Sequence, residues 1–269
     1  MKPVRLFLVL ALAFGIAASA QTSGEVVQAI SADRPGFAAS TDVLQPGMVQ
    51  VEGGVTLSVD REGDVRHRTM TLGSPMVRMG MWRFVELRAG GSGMQIVRST
   101  DCNGRGTTAG WSDLAVGAKV AVVREGKLVP AITLLPSISL PAGNRVFTSS
   151  TYDPSLGVAL RKNLRAGLAV AGTLTGTSVS NEGVRRAWYA TALSVGISLP
   201  QRLAGFVEIY AAGSDGPGKG STWVSDAGVS RNFGPDLQID IEAGRRISYG
   251  SPCWFVATGF ALRHSLFRR

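Results

Sequence analysis

The sequence predicts an all-β chain, a single antiparallel transmembrane β-barrel of about twelve strands with short periplasmic turns and longer extracellular loops. Three observations predict it. Segments of about ten residues with alternating apolar side chains recur throughout residues 47–269. The connections between them alternate between short, turn-like stretches and longer ones. The chain also opens with the pattern of an export signal.

That opening comes first. Lys2 and Arg5 precede an apolar run from Leu6 to Ala17, and Ala18-Ser19-Ala20 supplies small residues at a cleavage site. Residues 1–20 are expected to be a signal peptide cut before Gln21, which exports the chain. The formal net charge is +9, falling to about +7 once Lys2 and Arg5 are removed. A basic protein suits nucleic acid, anionic membranes or acidic ligands, and export argues against nucleic acid. With 34 glycines and 2 cysteines, the composition fits a barrel better than a disulfide scaffold. Residues 21–46, interrupted by Pro35 and Pro46, read as an N-terminal periplasmic extension and not as a strand.

Residues 47–269 form the expected barrel. In Gly47–Val59 the positions Val49, Val51, Val55, Leu57 and Val59 share a face opposite Gln50 and Glu52, as a strand's period of two requires. Val65–Met79 follows, with Met70, Leu72 and Met76 on one face. Arg83–Ser99 sets Val85, Leu87 and Ala89 against Glu86 and Arg88. Trp111–Val123 sets Leu114, Val116, Ala118, Val120 and Val122 against Asp113, Gly117 and Lys119. Leu128–Leu140, Tyr152–Leu160 and Leu164–Thr175 continue the pattern, then Arg186–Leu199, Ala204–Ala212 and Thr222–Phe233. Leu237–Ile247 alternates Leu237, Ile239 and Ile241 with Gln238, Asp240 and Glu242. Trp254–His264 closes the series.

The connections 123–127, 161–163, 200–203 and 234–236 are short, whereas 100–110, 141–151, 176–185 and 213–221 are longer. Alternation by itself fits a soluble, lipocalin-like barrel equally well, with apolar side chains inside. Loop asymmetry, size and the export signal favour the membrane version, with apolar faces to lipid and charges to the lumen. Only closed barrels and helices satisfy every backbone polar group in hydrocarbon.

Several stretches resemble the outer-membrane β-barrel transporter family named for the MetA pathway of phenol degradation. They are Ala32-Asp33-Arg34-Pro35-Gly36-Phe37, Leu44–Gly47 with Val49–Gly54, Trp111–Lys119, Pro130–Leu134 with Ser139–Gly143, Gly205–Tyr210, Pro235–Asp240 and Trp254–Phe260. Their order along the chain carries the resemblance, which implies an outer-membrane barrel with a transport role and gives no substrate. The chain ends Leu266-Phe267-Arg268-Arg269, whereas such barrels usually end on an aromatic residue that the assembly machinery reads.

Register gives the expected lumen-lining set: Glu52, Glu86, Arg88, Asp113, Lys119, Arg161, Arg165, Glu208, Asp226, Asp240 and Glu242. Both signs are present, so the set can brace a narrow barrel as ion pairs or select a charged solute. The long-loop end is basic, with Arg61, Arg66, Arg68, Arg98, Arg105, Arg145, Arg185, Arg186, Lys219, Arg245 and Arg246 in or beside it. It is expected to meet lipopolysaccharide phosphates, attract anions or simply be solvated. Cys102 and Cys253 fall in different exposed loops of an oxidising compartment, where a disulfide is expected as one alternative and free thiols as the other. Trp82, Trp188, Trp223 and Trp254 read as interface-belt or rim aromatics and not as a substrate platform.

Chemistry signals are poor. His67 and His264 lack local metal-ligand spacing, so no metal, cofactor or catalytic residue is expected. The loop Gly213–Gly220 lacks the Ser/Thr and the helix of a phosphate loop. The expected function is an outer-membrane channel or transporter of a Gram-negative bacterium, passing small solutes, aromatic or apolar ones among them, through a charged, constricted lumen. The alternatives are a closed-lumen structural or surface-interaction barrel and a lipid-modifying barrel enzyme. Expected partners are outer-membrane lipids and lipopolysaccharide, the barrel assembly machinery and the solute.

Overall fold

A computed structural model describes residues 29–102, 104–165, 167–181, 184–214, 221–248 and 253–267. The expected signal peptide and its cleavage site lie outside the described residues, as do residues 215–220 of the loop after Gly213 and Lys219 within it. The strand segments are β1 (Met48–Glu62), β2 (Val65–Trp82), β3 (Val85–Gly91), β4 (Gly93–Asp101), β5 (Gly104–Trp111), β6 (Leu114–Val123) and β7 (Ala131–Leu140). They continue with β8 (Asp153–Arg165), β9 (Leu168–Asn181), β10 (Val184–Leu199), β11 (Leu203–Ser214), β12 (Thr222–Phe233), β13 (Leu237–Arg246) and β14 (Trp254–Ser265). Among the described residues no helix is long and apolar enough to cross a membrane, which says nothing of a barrel.

Every pairing is antiparallel, and β1 pairs with both β2 and β14, so the sheet closes on itself. β2 is long enough to pair with β3 through Met76–Trp82 and with β4 through Arg66–Gly73. β3 and β4 are therefore one stave interrupted at Ser92, and β5 and β6 another interrupted at Ser112 and Asp113. The closed barrel has 12 strands, as the sequence predicts. The interruptions sit side by side, where Ser112 N donates to Gly93 O at 3.0 Å. Gly93 has φ +79° and a Cβ there would fall 2.2 Å from Leu72 O, so the crease needs glycine.

The faces sort as a membrane demands. Val51, Leu57, Leu87, Leu193, Val207, Ile241 and Phe260 point outward and are exposed, while Gln50, Glu52, Arg78, Glu86 and Lys119 are buried. A water-soluble barrel would invert this. Exposed aromatics mark both ends: Trp82, Phe84 and Phe233 at the turn end, Trp223 and Trp254 at the other. Trp223 and Phe233, at opposite ends of β12, lie about 34 Å apart along the strand and about 26 Å along the axis at the usual tilt, close to the apolar band of such barrels.

Several expectations are corrected. The stretches 100–110 and 176–185 are not long loops: β4 pairs with β5 up to Asp101–Gly104, and β9 with β10 up to Asn181–Val184, so strand structure fills most of both. The connection that was expected to end at Lys127 extends through residues 124–130. Met76 does not share a face with Met70 and Leu72. Gly73 and Ser74, both at positive φ, bulge β2 and shift its alternation by one residue, turning Met76 inward and Val77 outward. Trp188 is half-buried in the alternation of the buried Ala192 and Ser194, opposite to the exposed Tyr189, and so belongs to the inner rim at the long-loop end and not to the lipid-facing belt.

Candidate functional site: the threaded lumen

Residues 29–46, read from the sequence as part of an N-terminal periplasmic extension, thread through the barrel interior. Ile30 N donates to Pro235 O at 2.8 Å in the β12–β13 turn, placing the way in at the short-turn end. The segment climbs past Asp240 and Glu242, reaches Tyr210 with Phe37, and descends past Thr173, Thr133, Lys119 and Glu86. It leaves beside Gly80, whose carbonyl accepts from Gly47 N at 3.0 Å, and becomes β1. An irregular strand has backbone groups to satisfy, and here the wall satisfies them, because nothing in the segment pairs as a sheet.

Two clusters hold it. The first lies on β1, β2, β3 and β6. Arg78, fully buried, donates from Nε to Glu86 at 2.8 Å and from Nη1 to Glu52 at 3.0 Å. Its remaining donors reach Glu86 a second time at 3.0 Å, and Ser31 O at 3.0 Å and Asp42 O at 3.1 Å on the two limbs of the segment. Asp33 enters among three cations: Lys119 Nζ at 2.8 Å, Arg78 Nη1 at 3.9 Å, and Arg88, which donates to its other oxygen. Lys119 also donates to Ser40 O at 2.8 Å, and Leu44 N donates to Glu86 at 2.9 Å. Buried charges survive only when paired and hydrogen-bonded, and these are both.

The second cluster is an acidic wall on β11, β12 and β13. Glu208 accepts from Phe37 N at 2.7 Å and Ala38 N at 2.8 Å, Glu242 from Gly36 N at 2.6 Å, and Asp240 from Arg34 at 3.2 Å. Carboxylates thus cap three successive amides at the top of the segment. Asp226 sits opposite Glu208 on β12, 4% exposed, and its oxygens take no hydrogen bond among the described residues. Above them Phe37 packs on Tyr210, ring centroids 3.7 Å apart, and edge-on to Phe255 at 6.2 Å. The buried Val224, Phe255 and Ala257 with Tyr210 form the interior's apolar patch.

The remaining predicted residues lie elsewhere. Asp113 stands in the gap between β5 and β6 and accepts from Gly143 N and Ser149 N, both at 2.9 Å, which folds the 141–152 loop onto the crease. Asn144 extends that contact, accepting from Trp111 N at 2.6 Å. Arg161 reaches Asp42 of the threaded segment at 3.6 Å, and Arg165 is exposed at the end of β8. Cys102 and Cys253 are both free. Cys102 is at the β4–β5 tip and Cys253 precedes β14, so β1 and β2 intervene. Three strand spacings of about 4.8 Å exceed the reach of a disulfide. Burial, with Asp60 nearby, pushes the Cys253 thiol up from its ordinary value. Among the described residues no three His, Cys, Asp or Glu side chains could hold a metal ion.

Sequence reasoning missed Arg78, Asp33 and the threading of residues 29–46. Arg78 carries a signal: Gly73-Ser74-Pro75 inside a strand marks a bulge, and alternation counted through it puts Arg78 on the buried face. Asp33 had no such signal, because a segment without periodicity reveals nothing of what it contacts.

The profile of the family described as "Putative MetA-pathway of phenol degradation" matches residues 32–264. The chain belongs to that family. The match includes most of the threaded segment as well as the wall, so in this MetA-family barrel the two are one unit of sequence. No curated protein sequence matches it. Among solved structures it is similar to an outer-membrane channel from Pseudomonas putida F1, at TM-score 0.68 and 13% identity over 86% of this chain and 99% of that one. The β domain of the Bordetella autotransporter BrkA follows at TM-score 0.52 and 12% identity, covering 82% of this chain and 100% of that one. The translocator domain of the autotransporter NalP from Neisseria meningitidis gives 0.51 and 10%, covering 83% and 91%. These likenesses are of fold, that of outer-membrane barrels.

Proposed function

We propose that this MetA-family barrel is an outer-membrane channel that passes small, uncharged or cationic solutes, aromatic or apolar ones among them, by diffusion through a lumen narrowed by residues 29–46. The supporting observation is the interior's composition. The segment is held by polar contacts at its limbs and apex, while Phe37, Tyr210 and Phe255 offer an apolar patch beside the acidic wall. Glu208, Asp226, Asp240 and Glu242 favour cations over anions along that wall. Passage needs no covalent step. Export through a signal peptide cut before Gln21 belongs to the same reading.

A second reading, a closed barrel serving structure or surface contact, is favoured by the anchoring of both limbs, since a segment bonded at Asp33, Phe37 and Leu44 obstructs flux. Planar-bilayer conductance and liposome uptake of the full chain separate the two. Channel activity gives discrete conductance with a reversal potential on the cation side. Silence from protein shown to be folded and inserted supports the closed barrel, and anion preference removes the proposed role of the acidic wall.

A further inference from the structure

The outward face of β1, β2, β4 and β5 changes character towards the long-loop end, and the register shows where. Leu57 lies opposite Met70, and Met70 opposite Ile96, an apolar row. One row higher, Trp254 lies opposite Val59, Val59 opposite Arg68, and Arg68 opposite Arg98. Arg66 stands in the row above, opposite Arg61. The boundary runs at the level of the exposed Trp254, where the apolar girdle ends.

Arg66, Arg68 and Arg98 rim a shallow groove of about 340 Å³ whose floor is Leu57, Met70 and Ile96 and whose side is Trp254. Among the described residues none of the three arginines has a carboxylate partner. The acid at the hairpin tip, Asp64, is 3.9 Å from Arg61. Like charges directly opposite across a strand pair destabilise it, so Arg68 beside Arg98 calls for an anion between them. Arg78, Arg88 and Lys119 in the interior each face carboxylates, and these three arginines do not.

We infer that this groove seats a phosphorylated lipid of the outer leaflet, its phosphate across Arg66, Arg68 and Arg98 and an acyl chain along Leu57, Met70 and Ile96. Charge complementarity selects the phosphate, because forked guanidinium groups bind it in a fixed geometry. Continuity of the floor with the lipid-facing girdle selects a lipid over a soluble anion, which has no use for an apolar trough. The inference rests on the long-loop end facing outward and is independent of whether the lumen conducts.

Native mass spectrometry of the full chain in detergent, titrated with bisphosphorylated lipid A, dephosphorylated lipid A and excess inorganic phosphate, tests it. Lipid A is expected to stay bound, the dephosphorylated form to be lost, and inorganic phosphate not to displace the lipid. R68Q/R98Q is expected to weaken binding about 25-fold, at about fivefold for each cation near a phosphate surface. R186Q, at another exposed basic position, leaves it unchanged. Heat-modifiable gel mobility reports folding. If R68Q/R98Q fails to fold, R68K/R98K, which keeps charge and loses the fork, is expected to show a smaller loss. Equal retention of the two lipids, unchanged binding in these variants, or displacement by inorganic phosphate overturns the assignment.

Discussion

Replacing Arg78 with methionine keeps much of the side chain's volume and removes its charge. The lost contacts are Glu86 at 2.8 and 3.0 Å, Glu52 at 3.0 Å, and the carbonyls of Ser31 and Asp42 at 3.0 and 3.1 Å. Hydrogen bonds from a charged donor are worth about 1.5–3 kcal/mol each, so the two to the threaded segment anchor it by about 3–6 kcal/mol before compensation. The deletion also removes the cation beside Glu52 and leaves Glu86 the Arg88 cation at 3.8 Å, and a buried charge left fully uncompensated costs about 3–5 kcal/mol, which bounds this loss from above. The barrel wall keeps its full hydrogen-bond ladder, so the loss falls on the segment. A loss of 3 kcal/mol raises the displaced population by a factor of about 150. Limited proteolysis of residues 29–46 in folded, heat-modifiable protein measures this: R78M is expected to be cut at least tenfold faster than wild type, with larger conductance in bilayers. Equal cutting rates, with equal thermal stability, would refute the argument that this guanidinium ties both limbs to the wall.

Gly80→Ala puts a methyl 2.0 Å from Gln45 O, backbone against backbone, so the segment's last residues must move; faster hydrogen exchange at the amide of Leu44 is expected. Val207→Arg places a charge midway along β11 on the lipid face, at a position 59% exposed. It should cost about 2–4 kcal/mol in urea titrations of vesicle-inserted protein, and no loss would place that face away from lipid. Glu125, in the connection 124–130, accepts from Asn163 N at 2.9 Å, and with Lys162 beside it its carboxyl is held below the usual range. A depressed carboxyl stabilises above its ordinary value and loses that contribution as pH falls through the lowered one. Protection of the Asn163 amide should therefore persist through the ordinary carboxylate range and fade only on further acidification, whereas E125Q should show no such pH dependence.

The wall was legible because a strand exposed to lipid on one face must alternate. Glu52, Glu86, Lys119, Glu208, Asp226, Asp240 and Glu242 were found from that rule alone, and all are buried. The rule failed where β2 bulges, which hid Arg78, and where strands outran the apolar band. The hairpins β4–β5 and β9–β10 are too polar at their tips to look like membrane strands, so they passed for loops. The threaded segment was illegible for a different reason. Its conformation is dictated by wall groups more than a hundred residues away, such as Glu208 and Asp240, and local sequence carries no record of them.

Residues 29–46 bond to strands on both flanks of the place where β1 meets β14. Asp33 N donates to Glu52 on β1, while Arg34 reaches Asp240 on β13. A single covalent strand therefore works as a clasp. Parting that seam would first require stripping these inner bonds, so the stretch inside the wall also guards the joint where the tube closes.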